Sequence, residues 1–344
     1  MCTNLNNELL ATNLKTKMNT GIIPQVDVLN QYVEQNVAIN SYFAIGRFEV
    51  EEHILDYQIH IMMMNRPNIP KVINYNISIT DETTGEFYAD DKVFPREMCE
   101  VTVEGEGEDA IQTIKLPNGC MVGNAKKLHW EGYMDDGKII MDMDAYGYAV
   151  YNGGSGNFNS CLKGQDFNQY SLPHMKTKGI LTIKGKDYEV EGISWVDRQW
   201  QDEDVQTDLV GAQWTWTWMD INLENGDVIS LWDMNNVTRD FNYAWATIMH
   251  PDGTQCTAQM EILKNNAGGY WKSPISNQNY PTSFKVILPT LNTELDVVAV
   301  VKESEIVSQI PFLNKYEGAC TVSGKYLGED AKGFCYVEML GQWM

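Results

Sequence analysis

The chain has 344 residues, a net charge of −22, 43% hydrophobic residues and 21% charged residues, a folded composition long enough for two domains. So acidic a chain repels phosphate backbones and anionic lipid, which excludes nucleic acid and membrane surfaces as expected partners. No window reaches the roughly 18 apolar residues of a membrane span. The first residues, "MCTNLNNELLATNLKTKMNT", show no apolar core followed by a small-residue cleavage site, so no signal peptide is predicted and a cytoplasmic location is expected. Val26, Val28, Leu29, Tyr32 and Val33 recur at three-to-four spacing, which predicts one short helix within residues 1–38.

From residue 39 the pattern changes to strands. "SYFAIGRFEVEEHILDYQIHIMMM" alternates and is rich in aromatic and β-branched residues, as half-buried strands are. Turn dipeptides recur along the rest of the chain: Thr84-Gly85, Asn118-Gly119, Asp136-Gly137, Lys184-Gly185, Asn225-Gly226 and Asp252-Gly253. They predict hairpins between short strands, the signature of sandwiches and up-and-down barrels. A weak internal echo links "NSYFAIGRFEVEEHILDYQIHI" to "AQWTWTWMDINLENGDVISLWDM", each aromatic at first and then turning. The acidic stretch "QWQDEDVQTDLVG" between them reads as a linker. The predicted organisation is an N-terminal segment 1–38, a β domain 39–205 and a second β domain 206–344.

The seven cysteines are odd in number and widely spaced, without a CxxC. That pattern fits reduced thiols and offers neither a disulfide framework nor a zinc site. The five histidines are scattered and are expected to be structural, with no metal site.

Six of the ten tryptophans fall between Trp195 and Trp232. In a strand over 193–200, Trp195, Asp197 and Gln199 share one face, and Val196, Arg198 and Trp200 share the other. In a strand over 213–220, Trp214, Trp216, Trp218 and Asp220 form one aromatic face. Such a wall at a domain junction predicts either core packing or a small-molecule pocket. Asp197 sharpens the choice. A carboxyl held against indole rings loses solvation, so its pKa rises and it becomes a general acid near neutrality; nearby indole faces stabilise a cation formed by that proton. The plainer alternative is a strand-end salt bridge between Asp197 and Arg198. Tyr170 and His174, in "QYSLPHMK", precede the motif strand and could add a hydroxyl or an imidazole, or simply pack on a rim. Asp220 and Asp233 follow aromatic runs and are expected to be solvated strand ends, with a role as second carboxyls the sharper alternative. Tyr336 and Glu338 share a strand face and could line the same pocket.

The stretch "SLPHMKTKGILTIKGKDYEVEGISWVDRQW" resembles the G-x-(A/S)-W-x-D-x-x-W region of carotenoid 1,2-hydratases and of the related AttH-like and kievitone-hydratase-like proteins. "YEGACTVSGKYLGEDAKGFCYVEMLG", Tyr316 to Gly341, is similar to that family's closing pattern, and "WTWTWMDINLENGDVISLWDM" to its middle. The resemblance implies an all-β protein of two consecutive lipocalin-like domains with a pocket for an apolar small molecule and no metal or organic cofactor. It places the family's essential Asp on Asp197 and its flanking tryptophans on Trp195 and Trp200. Where many relatives carry His after the Asp, this chain has Arg198. The expected activity is hydration or dehydration, isomerisation or cyclisation of a terpenoid, polyketide or polyphenol, including pericyclic chemistry. A carrier that binds such a ligand without turnover is the alternative.

Overall fold

The computed structural model describes residues 13–15, 23–65, 70–159, 166–201, 214–236, 241–341 and 343. Among them the chain is all-β, with short 3-10 turns and no α-helix. The longer strands of the N-terminal half are β1 (Ile39–Val50), β2 (His53–Met64), β3 (Val72–Asp81), β4 (Glu86–Pro95), β5 (Glu100–Glu104), β6 (Ile111–Leu116), β7 (Gly119–Gly123), β8 (Lys127–Met134), β9 (Gly137–Tyr148), β10 (Asp166–Ile183) and β11 (Lys186–Gln201). They make one curled sheet in the order β4-β3-β2-β1-β11-β10-β9-β8-β7-β6-β5. The C-terminal half supplies β12 (Trp214–Leu223), β13 (Val228–Asn236), β14 (Phe241–Met249), β15 (Gln255–Gln259), β16 (Ser283–Leu288), β17 (Thr293–Ala299), β18 (Lys315–Tyr326) and β19 (Glu329–Leu340). Their order is β15-β14-β13-β12-β19-β18-β17-β16. The boundary expected near 205 lies outside the described residues.

The six turn dipeptides all join neighbouring antiparallel strands. Lys184 and Gly185 show why. Their φ values are 50° and 82°, the two left-handed residues of a type I′ loop, whose twist matches that of the strands it joins.

The short helix expected near Val26–Val33 is absent. Three of the residues that set the helical spacing, Val26, Val28 and Tyr32, nevertheless enter the core of the N-terminal sheet. The backbone, however, follows turns and bends. Asp27 Oδ1 accepts from the amides of Leu29 (3.1 Å) and Asn30 (3.2 Å), a local bond set that competes with a helix. The carbonyls of Tyr32 and Val33 turn instead to the Arg198 guanidinium, at 2.7 Å from Nε and 2.9 Å from Nη2.

Three apolar clusters follow from the alternation of side chains. One fills the N-terminal sheet and includes Tyr42, Ile59, Trp130, Tyr170 and Trp200. A second fills the C-terminal sheet and includes Met219, Ile221, Val286 and Met339. The third lies where the two sheets meet and draws Phe43, Phe158 and Trp195 from one, Trp218, Trp232 and Tyr336 from the other. The candidate site is built in this third cluster.

Candidate functional site between the two sheets

Strand parity sets the site. Asp197 stands in the C-terminal third of β11, paired with Ser171 of β10 on one side and Phe43 of β1 on the other. Trp195, two residues earlier, shares its face, and its indole N–H donates to Asp197 Oδ1 at 2.7 Å. Gln169 Nε2, two residues before Ser171 on β10, donates to Oδ2 at 2.9 Å. Asp197 is 5% exposed. Burial drives its pKa up to about 7 against the opposing hydrogen bonds from Ser171, Trp195 and Gln169, and the charge of Glu338 adds to the rise. All three donors are neutral, so the proton is held near neutrality by environment and not by a cation.

The expected alternative, an Asp197–Arg198 salt bridge, is not formed. Arg198 points to the opposite face and is fully buried. Besides Tyr32 and Val33 it binds Asn40 Oδ1 (2.6 Å) and the carbonyl of Gln199 (2.5 Å), and it lies over the rings of Tyr42 and Trp200 at 4.4 and 5.0 Å. Among the described residues it has no carboxylate partner within salt-bridge distance.

The hydrogen bonds around Asp197 continue into the C-terminal sheet. Gln169 Oε1 accepts from Trp232 Nε1 at 3.0 Å. Ser171 accepts from Asn152 Nδ2 (2.9 Å), Asn152 Oδ1 from Ser230 (2.5 Å), and Ser230 from Trp218 Nε1 (3.1 Å). Trp218 stacks edge-on against Trp195, 6.2 Å between centroids, and against Phe43 at 5.5 Å. Trp218, Asp220, Tyr336 and Glu338 come together because β12 and β19 pair Trp218 with Glu338 and Asp220 with Tyr336.

Asp220 is buried, contrary to the solvated strand end expected of it. Its Oδ1 accepts from the Tyr336 amide at 2.5 Å and Oδ2 from Asn222 at 2.9 Å, and burial raises its pKa well above the ordinary value. Asp233 is buried too. It binds the Leu263 amide (2.7 Å) and Asn242 (3.0 Å), the partners of a structural brace, and burial raises its pKa to about 6. In both cases the tertiary contact of the second strand face overrides the strand-end position.

Asp220 faces a small recess of about 40 Å³ with Trp195, Tyr336, Pro173 and Asp56 around it. Sequence reasoning missed Asp56. It is 3% exposed, and its Oδ2 has no hydrogen-bond partner among the described residues. Burial first, then the neighbouring Glu82, push its pKa well up. Pro173 reaches the recess through a bulge in β10, where the register to β11 shifts between Leu172 and Met175, the position at which a strand tolerates a residue without N–H. His174, beside it in the bulge, is half-buried, and burial lowers its pKa. The recess adjoins a surface cleft of about 320 Å³ bordered by Arg47, Glu49, Glu82, Glu224 and Phe334.

A second polar cluster flanks Asp197. Lys315 Nζ contacts Glu338 Oε2 at 3.1 Å, His60 Nδ1 at 3.0 Å, and Glu317. Trp216 Nε1 donates to Glu338 Oε1 at 2.9 Å. Because an ammonium only donates, His60 accepts at Nδ1 and its Nε2–H reaches Ser41 at 2.7 Å. Burial and then Lys315 push His60 down to about 3. Burial disfavours the charged forms of Lys315 and Glu338, yet Glu317 and then Glu338 raise Lys315, and Lys315 lowers Glu338, while burial raises Glu317 well above the ordinary carboxyl value. Lys315→Met should therefore strand the buried Glu338 carboxylate and cost about 3–5 kcal/mol of stability, read as a lower urea midpoint; a loss below about 1 kcal/mol, the value of an exposed pair, would show that this cluster is solvated.

The remaining candidates are divided. Trp195, Trp216, Trp218, Tyr336 and Glu338 gather with Asp197 at the junction. Trp200 and Tyr170 lie on the other face of their strands, in the N-terminal core, where Tyr170 Oη donates to the Val28 carbonyl at 2.9 Å. The side chain of Trp214 lies outside the described residues.

Two stacked, curled antiparallel sheets with a buried acid and indoles at their junction define a lipocalin-like two-sheet protein. The chain belongs to the AttH-like family, whose profile matches residues 62–342. It is similar to an AttH structure from Nitrosomonas europaea, with a TM-score of 0.76 at 20% identity over 94% of this chain and 99% of that one. Kievitone hydratase from Nectria haematococca aligns with a TM-score of 0.75 at 20% identity over 96% and 98%. CghA, solved with Sch210972, aligns with a TM-score of 0.61 at 9% identity over 98% and 97%. At these identities the likeness is one of fold. No curated protein matches the chain.

Proposed function

We propose that the protein is a cofactor-independent enzyme of the hydratase, isomerase or cyclase type, acting on an apolar small molecule of terpenoid, polyketide or polyphenol kind. The observation that carries this reading is Asp197: a buried carboxyl, bonded only to neutral donors, with its pKa raised to about 7 by burial and indole rings on its face. Such a group delivers a proton to an alkene or carbonyl at neutral pH. Trp195 and Trp218 would face the resulting cation, and water, or an internal nucleophile of the substrate, would complete addition or ring closure. Run backwards, the same path dehydrates.

The substrate's polar end would enter by the cleft and reach the recess, where Asp56 and Asp220, kept neutral by burial, donate to an acceptor oxygen. Trp195 borders that recess and its N–H binds Asp197 behind it, so proton delivery requires the indole to turn off the carboxyl. Kinship in fold with a hydratase supports this reaction class. A carrier without turnover is the second reading, and what favours the enzyme over it is the buried acid at Asp197, which binding alone does not require.

The test is direct. Prenylated phenols, polyenes and linear polyketide mimics are incubated with protein in ¹⁸O-water, and products are read by mass spectrometry. Hydration places one ¹⁸O in the product, and cyclisation gives an isomer of unchanged mass. Productive ligands should also quench tryptophan emission saturably, because Trp195, Trp218 and Trp232 share the junction. A panel that yields neither conversion nor quenching would overturn the proposal.

A further inference from the structure

We propose that Cys120, His129 and Glu131 form a binding site for a thiophilic divalent metal of the zinc type, on the outer face of the N-terminal sheet. Met121 of β7, Leu128 and Trp130 of β8, and Met141 of β9 are buried in the core of that sheet. Their neighbours Cys120, His129, Glu131 and Asp142 therefore project from the opposite face. Register brings them side by side: Cys120 pairs with Glu131, and His129 with Asp142.

The donor atoms of Cys120, His129 and Glu131 all lie within 4.8 Å of one another. His129 Nε2 and Glu131 Oε1 are 3.0 Å apart. Two donors about 2.0 Å from one tetrahedral zinc stand about 3.3 Å apart, and a thiolate at about 2.3 Å stands slightly farther from each. The three side chains thus need shifts of an ångström or so, within the reach of rotamer adjustment and without strand movement.

The outer shell is already in place. Asp142 Oδ1 binds His129 Nδ1 at 2.8 Å, which leaves Nε2 as the nitrogen for the metal, the carboxylate–histidine–metal arrangement of natural sites. Tyr133 Oη donates to Glu131 Oε2 at 2.9 Å, holding the carboxylate with Oε1 free to turn from His129 to the ion. On binding, the thiol proton and the Nε2 proton pass to solvent. One thiolate and one carboxylate then balance the two charges of the ion. The soft thiolate and the imidazole select zinc, cobalt or copper over magnesium and calcium. Three protein ligands leave a fourth position for water. His129 and Glu131 are each about a third exposed, with side-chain values of 34%, so an ion has a path in.

This face is the reverse of the one that carries the core, so the ion would take no part in chemistry at Asp197. Its effect would be to tie β7 to β8 near the edge of the sheet. The inference departs from the expectation of no metal site, which rested on sequence spacing alone; strand pairing supplies a proximity that spacing does not show.

Cobalt(II) is the probe, added to the full-length reduced protein. One equivalent should bind, with a near-ultraviolet thiolate-to-cobalt band and intense visible bands of a tetrahedral ion. Cys120→Ser and His129→Gln should each abolish the near-ultraviolet band or the stoichiometric uptake while circular dichroism stays that of the wild type. Zinc should raise the melting temperature of the wild type and not of either variant. If Cys120→Ser fails to fold, Glu131→Gln and His129→Gln carry the test. No band with cobalt in excess, or a band that survives these substitutions, overturns the proposal.

Discussion

Asp197→Asn is expected to lower turnover by roughly 10²- to 10⁴-fold, the contribution of a general acid, while ligand quenching of tryptophan emission stays close to that of the wild type. Asn keeps the shape and an oxygen for the Trp195 N–H, but it has no proton to deliver. The same variant carries a stability signature with a definite sign. Folding raises the Asp197 pKa from 3.8 to about 7, so the folded protein holds a proton that the unfolded chain releases. Below about pH 4 both states are protonated and the carboxyl costs nothing. As the pH rises from 4 to 7 the unfolded state is increasingly favoured, to a limit on the order of 4 kcal/mol. Asn removes this slope. The melting temperature of the variant minus that of the wild type should therefore increase between pH 5 and pH 8, whatever constant offset the amide introduces. A difference that is flat or falls over that range would mean that Asp197 is ionised in the folded state at all these values, and the acid would have to be sought elsewhere.

Arg198→Met is expected to be among the most damaging single changes in the molecule. The guanidinium is the partner of the Tyr32 and Val33 carbonyls and of Asn40. Removing it leaves several buried acceptors unsatisfied at about 1–3 kcal/mol each, for a loss on the order of 4 kcal/mol in urea denaturation. The damage should centre on residues 23–38, which ought to become the first site of proteolytic cleavage. Arg198→Lys should recover only part of the loss, because a single ammonium lacks the fork that reaches acceptors on several sides. A variant with wild-type stability would show that the N-terminal segment holds its place without the arginine.

Much of the fold was legible because its signals are local. A Lys-Gly or Asn-Gly turn depends on the backbone freedom of two residues, and alternation depends on neighbours two apart. The faces of β11 were legible for the same reason: Asp197 and Trp195 share parity, while Arg198 and Trp200 share the other. The irregular course of residues 23–38 was not legible, because it follows from an arginine that arrives more than 150 residues later. Asp56 was invisible for the same cause. In "EVEEHILDYQ" it reads as an ordinary strand polar residue, and only the approach of β12 and β19 encloses it. Glu338 was legible as a pocket candidate from its shared face with Tyr336, but its partners Lys315 and His60 were not, because only the pairing of β18 with β19 and their approach to β2 bring them together.

The chain of hydrogen bonds from Asp197 through Gln169 to Trp232, and through Ser171, Asn152 and Ser230 to Trp218, has a thermodynamic consequence. The affinity of Asp197 for its proton is set by both halves of the molecule at once, since the C-terminal sheet supplies much of what keeps water away. Any ligand that parts the sheets hydrates the carboxyl and lowers its pKa, and any group that refills the gap restores it. Where a ligand enters at this junction, as the proposed function requires, access and acidity should be linked: at neutral pH an opened junction would release a proton to solvent and a closed one would take it back. Ligand affinity must then vary with pH in proportion to the protons exchanged, so that proton uptake measured on binding reports, without any chemistry, whether the junction has shut over its guest.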